Sequence, residues 1–438
     1  MSLDNVKAVV LAAGKGVRMK SERPKVLHEI LGRPVLDFVL RNLRLAGVQD
    51  IIVVVGHQAE KVKAAAKDCR FADQTVQKGT GHALLAAEPL VRGFSGDLLV
   101  VAGDAPLIGP DTLRRLYEDH RAAKRDATFL SACLDDPTGY GRVVRDKSTG
   151  KFLRFAEDSD ATPEEKNIPE CNSGTYVFKT SAVLEALHEV KPNNSKGELY
   201  LTDALGVLVG KGRPVDAVRS LIPTEIYGIN SRRDLVAATN FIRWKILEFH
   251  MDNGVSVVDP STTFIEEDVT IGQDTVIQPF SVIRRGVIIG KNCEVGPFAQ
   301  LRAGTVLEDG AEVGNFVEVK KSRIGTHSKA KHLSYIGDAT LGAHVNIGAG
   351  TITANYDGKN KNPTTIGDHS HTGSNTVLVA PVTLGKNVTT GAGAVVVKGD
   401  IPDNTILVGV PARPLTKNGS PRKPKPSKKP MAKAGKKR

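Results

Sequence analysis

The sequence predicts an α/β domain built on a mostly parallel sheet, followed by a parallel β-helix. Three observations carry that expectation. In the first half, continuous apolar runs alternate with segments of helical periodicity. In the second half an aliphatic residue returns every six positions. Between them, Ser231–Met251 has apolar residues at helical spacing and no breaker, which predicts a long linker helix.

Taken in chain order, Val6–Ala12 predicts a buried strand, because the apolar run is unbroken and short. Pro34–Ala46 follows as an amphipathic helix, Ile51–Val55 as a second buried strand, Ala59–Lys67 and Gly81–Glu88 as helices, and Leu98–Ala102 as a strand. Strands that are apolar throughout are covered on both faces, as in parallel sheets flanked by helices. Such sheets bind ligands beyond the carboxyl ends of their strands, so the loops after Ala12 and Ala102 are the places to look for a site.

From Ile265 the aliphatic positions are Ile265, Ile271, Ile277, Ile283, Ile289, Val295, Leu301, Leu307, Val313 and Val319, often with Gly next in line. A hexapeptide period makes each six residues one flat side of a prism, so three repeats close a triangular coil with the aliphatic side chain inside. The register slips near Ile324 and Leu341. Asn355–Thr365 interrupts it, and the period resumes at Ile366 and runs to about Val396. The interior of the prism cannot hold the interruption, so Asn355–Thr365 is expected to leave as an external loop.

Composition bounds what the chain can be. Its 438 residues exceed one typical domain, and 40% of them are hydrophobic, enough for substantial cores. No stretch of eighteen consecutive apolar residues is present, so no membrane span is expected. The four cysteines, Cys69, Cys133, Cys171 and Cys293, form no CxxC pair and argue against a disulfide framework or a cysteine zinc site. A soluble, cytoplasmic protein is expected. The net charge of +12 suggests a polyanion partner, but residues 411–438 hold 11 Lys or Arg and no acidic residue. Without them the balance is 49 basic against 48 acidic residues, and the body is nearly neutral. No specific nucleic-acid partner is therefore expected. The Pro- and Lys-rich end is expected to be a disordered, solubilising tail.

Two sets of motifs carry chemistry. Leu11–Arg18, LAAGKGVR, follows the first strand and is itself followed by Pro24-Lys25. A Gly-rich turn there lets backbone N–H groups approach a phosphate, with Arg18 and Lys25 adding charge. Its spacing fits neither the Walker sequence nor the dinucleotide fingerprint. The string LAAGKGVRM…SERPKVLHEI resembles the signature of sugar-nucleotide pyrophosphorylases. In order come Gln74–Ala83, Gly103–Leu107, Thr138–Arg142, Glu157, Asn172–Gly174, Thr202-Asp203 and Gly228–Asn230, each similar to a stretch of that family. In the second half, NFVEVKK (Asn315–Lys321), KHLSY (Lys331–Tyr335) and VNIGAGTITANY (Val345–Tyr356) resemble the acetyltransferase domain of the bifunctional enzymes that make UDP-N-acetylglucosamine. The resemblance spans roughly residues 5–412.

That resemblance implies a Rossmann-like nucleotidyltransferase domain over residues 1–230, a linker helix over 231–251, a left-handed β-helix acetyltransferase domain over 252–412 and a basic tail over 413–438. It implies Mg²⁺ as cofactor, on Asp104 and Asn230. Leu11, Ala12, Gly14, Arg18, Lys25, Gln74, Gly79 and Thr80 would hold UTP, and Gly141, Glu157, Asn172 and Thr202 the sugar. For acetyl transfer it implies His332 as general base oriented by Glu318, and a sugar-phosphate grip of Arg302, Lys320, Tyr335, Asn346 and Lys361. Ala349, Asn355, Tyr356, Ser374 and Ala392 would contact acetyl-CoA. Glucosamine 1-phosphate, acetyl-CoA, UTP and GlcNAc 1-phosphate are the implied partners, and a homotrimer formed through the β-helix the implied assembly. Two departures stand out. Gly409 occupies a place where the family commonly has an Arg toward CoA, with Arg413 or the tail lysines as substitutes. Ser159 stands where a Lys is common.

Overall fold

The structure, a computed structural model, describes residues 3, 5–192 and 197–414. The chain divides into two compact units, Met1–Ile242 and a second beginning at Arg243. The division falls inside the helix Arg232–Asp252, the segment that the sequence marks as a linker.

The first unit is organised by one sheet. Its strands run Val215–Arg219, Ala127–Cys133, Glu170–Lys179, Asp97–Ala102, Val6–Leu11, Asp50–Val55 and Arg70–Asp73, with Arg142–Arg145 and Phe152–Ala156 attached at the side. All neighbours along this path are parallel except Glu170–Lys179, which is antiparallel to both of its own. The unbroken apolar runs serve two faces at once. Ala8, Val10, Val53 and Val55 enter one core with Leu36, Leu40 and Leu116 from the helices Val35–Ala46 and Pro110–Ala122. Val9, Ile52 and Val54 enter the other with Leu84, Leu187 and Leu205. Alternate side chains of a strand point to opposite faces, so a strand buried on both sides must be apolar at every position.

The antiparallel strand carries an irregularity. Its register against Ala127–Cys133 shifts between Asn172 and Tyr176, around Gly174 at φ 74°. A bulge of this kind re-aims the side chains beside it.

The second unit is a left-handed parallel β-helix. Strands of two to four residues stack into three parallel sheets, with pairings such as Ile265 to Ile283, Ile283 to Leu301 and Leu301 to Val319. The interval is three hexads. The predicted aliphatic residues are buried in one continuous core. The slips are present: Val319 and Ile324, and Ile336 and Leu341, are buried core residues spaced by five. Glycine follows the aliphatic position because coils pass closely there. A Cβ on Gly272 would lie 2.6 Å from the Gly290 carbonyl carbon. The interruption is shorter than predicted. Thr364 and Thr365 belong to the strand Thr364–Ile366, and only Asn355–Pro363 leaves the coil.

Corners are turned by residues with left-handed φ. One corner carries Phe280, Phe298, Phe316 and Leu333 (φ 61°, 55°, 54° and 49°), then Gly350, Asn375 and Gly393. The three phenyl rings stack at 4.7 and 5.0 Å between centroids, and all three are about half exposed. At the carboxyl end, Arg413–Pro414 pair antiparallel with Leu407 and Val408, so the strand structure runs two residues into the expected tail; residues 415–438 lie outside the described residues.

Candidate active sites

In the first unit a cavity of about 530 Å³ opens at the carboxyl ends of the parallel strands, where the sequence places a ligand. Leu11, Ala12, Gly14, Lys25, Gln74, Gly79, Thr80 and Asp104 all line it. Gly16 also lines it, and must be glycine: φ is 61°, and a Cβ would lie 2.6 Å from the Lys25 Cβ. Arg18 is exposed on the short helix Val17–Met19 and is not among the lining residues.

Lys25 is the hub. Its Nζ donates to Asp104 Oδ2 and, at 3.1 Å, to Asn230 Oδ1. The oxygens of Asp104 and Asn230 therefore converge on a single cation, here the ammonium. The backbone holds them together: the Ile229 N–H donates to the Asp104 carbonyl at 2.8 Å. The N–H groups of Asn230 and Ser231 donate to Asp234 Oδ2, in the first turn of Arg232–Asp252, at 2.9 and 2.7 Å. Carboxylate and amide oxygens are hard donors that suit Mg²⁺. Among the described residues no group of three or more His, Cys, Asp or Glu is arranged to hold a metal. A two-oxygen set fits a cation whose remaining ligands are phosphates and water.

Gln74, buried at the far wall, donates through Nε2 to the Gly79 carbonyl at 3.1 Å and lies 3.0 Å from His82 Nδ1. Gly79 sits against a second segment, where a Cβ would lie 2.5 Å from the Leu199 carbonyl oxygen. Leu201 N–H donates to Thr80 Oγ1 at 3.0 Å.

The four expected sugar residues form an adjoining cluster. Thr202 Oγ1 donates to Glu157 Oε1 at 3.0 Å, and the Asn172 N–H donates to the Gly141 carbonyl at 2.9 Å. Asn172 Nδ2 donates to the Tyr176 hydroxyl at 2.7 Å, and Tyr176 in turn lines the cavity. Burial pushes the Tyr176 hydroxyl up and keeps it protonated. Asp203 beside Thr202 is raised too, first by burial. Sequence reasoning missed Lys15, Gln77, Tyr176 and Glu198 as lining residues. Lys15 lies inside the Gly-rich string and Gln77 inside Gln74–Ala83, so both stood in stretches already singled out. Tyr176 and Glu198 carry no local signal.

In the second unit, Arg302, Glu318, Lys320, Tyr335 and Lys361 gather along one face of the prism. Glu318 is in register with Tyr335, and Lys320 with Gly337. The Tyr335 ring lies across Gly337, where a Cβ would lie 2.5 Å from the hydroxyl. Arg302 Nη1 donates to Glu318 Oε1 at 2.8 Å, so the carboxylate expected to orient His332 is paired with a guanidinium. Hydrogen bonding to and repulsion by the adjacent Lys320 ammonium hold Lys361 below the ordinary lysine value. Three cations thus stand together on an exposed face.

His332 ends the strand Lys329–His332 on the neighbouring face and is exposed. It borders a cavity of about 220 Å³ shared with Glu294, Glu312, Asn315 and Lys331. Its carbonyl accepts from Gly350 N–H at 3.3 Å; Ala349 accepts from Asn375 at 2.7 Å and Ser374 from Gly393 at 2.8 Å. These bonds put His332, Ala349, Ser374 and Ala392 in one row down a corner, a coil apart. With coils about 4.8 Å apart, the row spans about 14 Å. Above His332 the corner residues are phenylalanines; below it they are Gly350, Asn375 and Gly393. Asn346 opens the strand three residues before Ala349 and is exposed. Asn355 is buried at the root of the external loop, where its Nδ2 donates to Asp338 Oδ2 at 2.5 Å. Tyr356 is exposed and donates to the Gly358 carbonyl at 2.7 Å.

Comparison with known proteins follows the same division. The MobA-like NTP transferase domain matches residues 8–161, and the bacterial transferase hexapeptide (six repeats) matches residues 268–303, 286–321 and 363–398. The bifunctional protein GlmU of Syntrophomonas wolfei is 45% identical, over 92% of this chain and 96% of its own length. The protein of the same name from Pelotomaculum thermopropionicum is 44% identical over 86% and 89%, and that from Aquifex aeolicus 41% over 93% and 97%. A solved UDP-glucose pyrophosphorylase complexed with UDP-glucose aligns with 55% of this chain at 19% identity and a TM-score of 0.46.

Proposed function

The chain belongs to the bifunctional GlmU family, and from that premise we propose that it carries out two consecutive transfers on one sugar phosphate. The second unit moves an acetyl group from acetyl-CoA to glucosamine 1-phosphate. The first then moves UMP from UTP to GlcNAc 1-phosphate and releases pyrophosphate. The observation that carries this reading is the presence of two separately assembled sites, each on its own unit: Lys25, Asp104 and Asn230 converge in one, and the row below His332 runs down the other.

In the acetyl step the amine nitrogen attacks the thioester carbonyl, the C–S bond breaks and the sulfur leaves as CoA thiolate. An ammonium has no lone pair to attack with, so His332 accepts the proton and can return it to the thiolate. The corner beside Ala349, Ser374 and Ala392, turned by Gly350, Asn375 and Gly393 and free of aromatic side chains, gives an extended pantetheine arm a path that ends at the base. Arg302, Lys320 and Lys361 supply the charge that a sugar phosphate needs. Family residues at this site stand on two faces of one prism; a neighbouring copy in a homotrimer would bring the faces together. The exposed Phe280, Phe298 and Phe316 ladder is what such an interface would cover.

In the uridylyl step the sugar phosphate oxygen attacks the α-phosphorus, and no enzyme nucleophile is needed. When bound by Asp104 and Asn230, Mg²⁺ would neutralise charge on the triphosphate. Lys25 offsets further charge. Gln74, Gly79 and Thr80 position the nucleoside, and Glu157 with Thr202 and Asn172 the sugar. Residues 1–230 and 252–412 are the two catalytic domains in this reading, and a cytoplasmic location goes with it. Among the described residues no helix is long and apolar enough to cross a membrane.

The test is a two-readout assay. Purified protein receives glucosamine 1-phosphate, acetyl-CoA, UTP and Mg²⁺, and free thiol and pyrophosphate are followed separately. Both should appear, and pyrophosphate should depend on acetyl-CoA unless GlcNAc 1-phosphate is supplied. Thiol release without pyrophosphate, or the reverse, would reduce the protein to one activity.

A further inference from the structure

Asp104 and Lys25 are both more than four-fifths buried, at 18% and 17% side-chain exposure. A buried carboxylate without a counter-charge is costly, so something must neutralise Asp104 when no metal is present. That role falls to the Lys25 ammonium, which donates to Asp104 Oδ2 and to Asn230 Oδ1 together. These are the two oxygens assigned to the metal above. We propose that Lys25 occupies the metal locus of the nucleotide-free protein, so that a divalent cation and the Lys25 ammonium exclude each other. The cation then binds tightly only after a triphosphate has drawn the ammonium away. This inference rests on the metal reading of Asp104 and Asn230.

The geometry separates fixed groups from the movable one. Asp104 and Asn230 are set by backbone bonds that do not involve Lys25: Ile229 N–H to the Asp104 carbonyl, and the Asn230 and Ser231 N–H groups to Asp234. Lys25, by contrast, reaches the locus on a flexible four-carbon stem. Its base packs beneath Gly16, a residue of the Gly-rich turn that lines the cavity. A triphosphate lying on that turn offers the ammonium an anionic partner within the swing of the same stem. Two oxygens that already point at one cation then become free for another. A dication and an ammonium repel, and the two oxygens are too few to serve both. The consequence is positive coupling between metal and nucleotide with no rearrangement of the backbone.

Mn²⁺ alone is the probe, titrated into the full-length protein without nucleotide and followed by the electron paramagnetic resonance signal of free Mn²⁺. Lys25→Met should bind Mn²⁺ at least about tenfold more tightly than the wild type, while Lys25→Arg, which keeps the charge, should stay weak. Asp104→Asn should remove the gain in the Lys25→Met background. If Lys25→Met gains no affinity while Mn²⁺ binding remains sensitive to Asp104→Asn, the exclusion is wrong and the metal locus stands. If binding ignores Asp104→Asn in every background, the locus itself is wrong and the inference falls with it. Thermal unfolding checks the fold of each variant. Lys25→Gln repeats the comparison if the methionine variant does not fold, and the same outcomes decide.

Discussion

Gly79→Ala offers a sharp test of how the nucleotide wall is built. Gly79 has φ 100° and ψ 176°, a region that is essentially reserved for glycine and costs other residues about 1–3 kcal/mol. The new Cβ would also meet the Leu199 carbonyl oxygen at 2.5 Å and the Glu198 Cβ at 3.0 Å. The first separation is not tolerable and the second is tight, so the segment must shift. The carbonyl that moves is the acceptor for Gly81 N–H at 2.8 Å, a bond worth about 0.5–1.5 kcal/mol net. The sum is about 1.5–4.5 kcal/mol. Fully expressed against UTP, that is a loss of roughly 10- to 1,600-fold in kcat/KM, at about 1.4 kcal/mol per decade. Any part absorbed as strain appears instead as a lower unfolding temperature. The assay is initial-rate pyrophosphate release against UTP at saturating GlcNAc 1-phosphate, paired with a thermal melt. Thiol release from acetyl-CoA serves as control and should not change. Wild-type kcat/KM for UTP together with a wild-type melt would refute the claim that Gly79 is required by its backbone.

Three further outcomes are expected. His332→Ala should cut thiol release by roughly two to four orders of magnitude, the usual contribution of a general base, and leave pyrophosphate release from supplied GlcNAc 1-phosphate intact; full acetylation by the variant would remove His332 as the base. Asp357 accepts hydrogen bonds from the N–H groups of Asn360 and Lys359 at 2.7 and 2.9 Å and from Asn362 Nδ2 at 3.0 Å, and these hold its carboxyl down at about 2. The loop that presents Lys361 is therefore fully braced above the ordinary carboxyl value of 3.8 and loses that brace as pH falls toward 2. Asp357→Ala should raise KM for glucosamine 1-phosphate severalfold at neutral pH with kcat little changed; an unchanged KM would show that the brace does not position Lys361. Phe298→Asp, in the middle of the exposed phenyl ladder, should shift the protein toward smaller species in light scattering at unchanged circular dichroism, whereas an assembly state identical to wild type would mean that no copy covers that corner.

Much of the second unit was legible in the sequence because its contacts are set by a short, constant interval. Each coil consumes three hexads, so the residue that Ile265 packs on and pairs with is found by counting. Even the slips at Ile324 and Leu341 are visible as five-residue gaps. Three strands of the first unit, Val6–Leu11, Asp50–Val55 and Asp97–Ala102, were legible for a related reason, since a strand buried on both faces is apolar along almost its whole length, whereas Arg70–Asp73, Ala127–Cys133, Glu170–Lys179 and Val215–Arg219 were not foreseen. The bulge at Asn172 and the side-strands Arg142–Arg145 and Phe152–Ala156 were not, because nothing in their local pattern separates them from loops.

The site residues divide along the same line. By itself the sequence determined which residue types were available, where the Gly-rich turn lies after its strand, and which positions of the prism point inward. Those properties follow from local backbone geometry and from burial. Only the tertiary structure decided that Lys25 meets Asp104, 79 residues away, and Asn230, 205 residues away, on one cation locus. It also decided that Arg302, and not His332, takes the Glu318 carboxylate, and that His332 heads a row of small residues down one corner. The physical reason is range. Periodicity reports what a residue does toward the core, where neighbours repeat at fixed intervals. A polar side chain chooses its partner by charge and distance in space, and those distances exist only once the chain has closed its sheet and wound its coils.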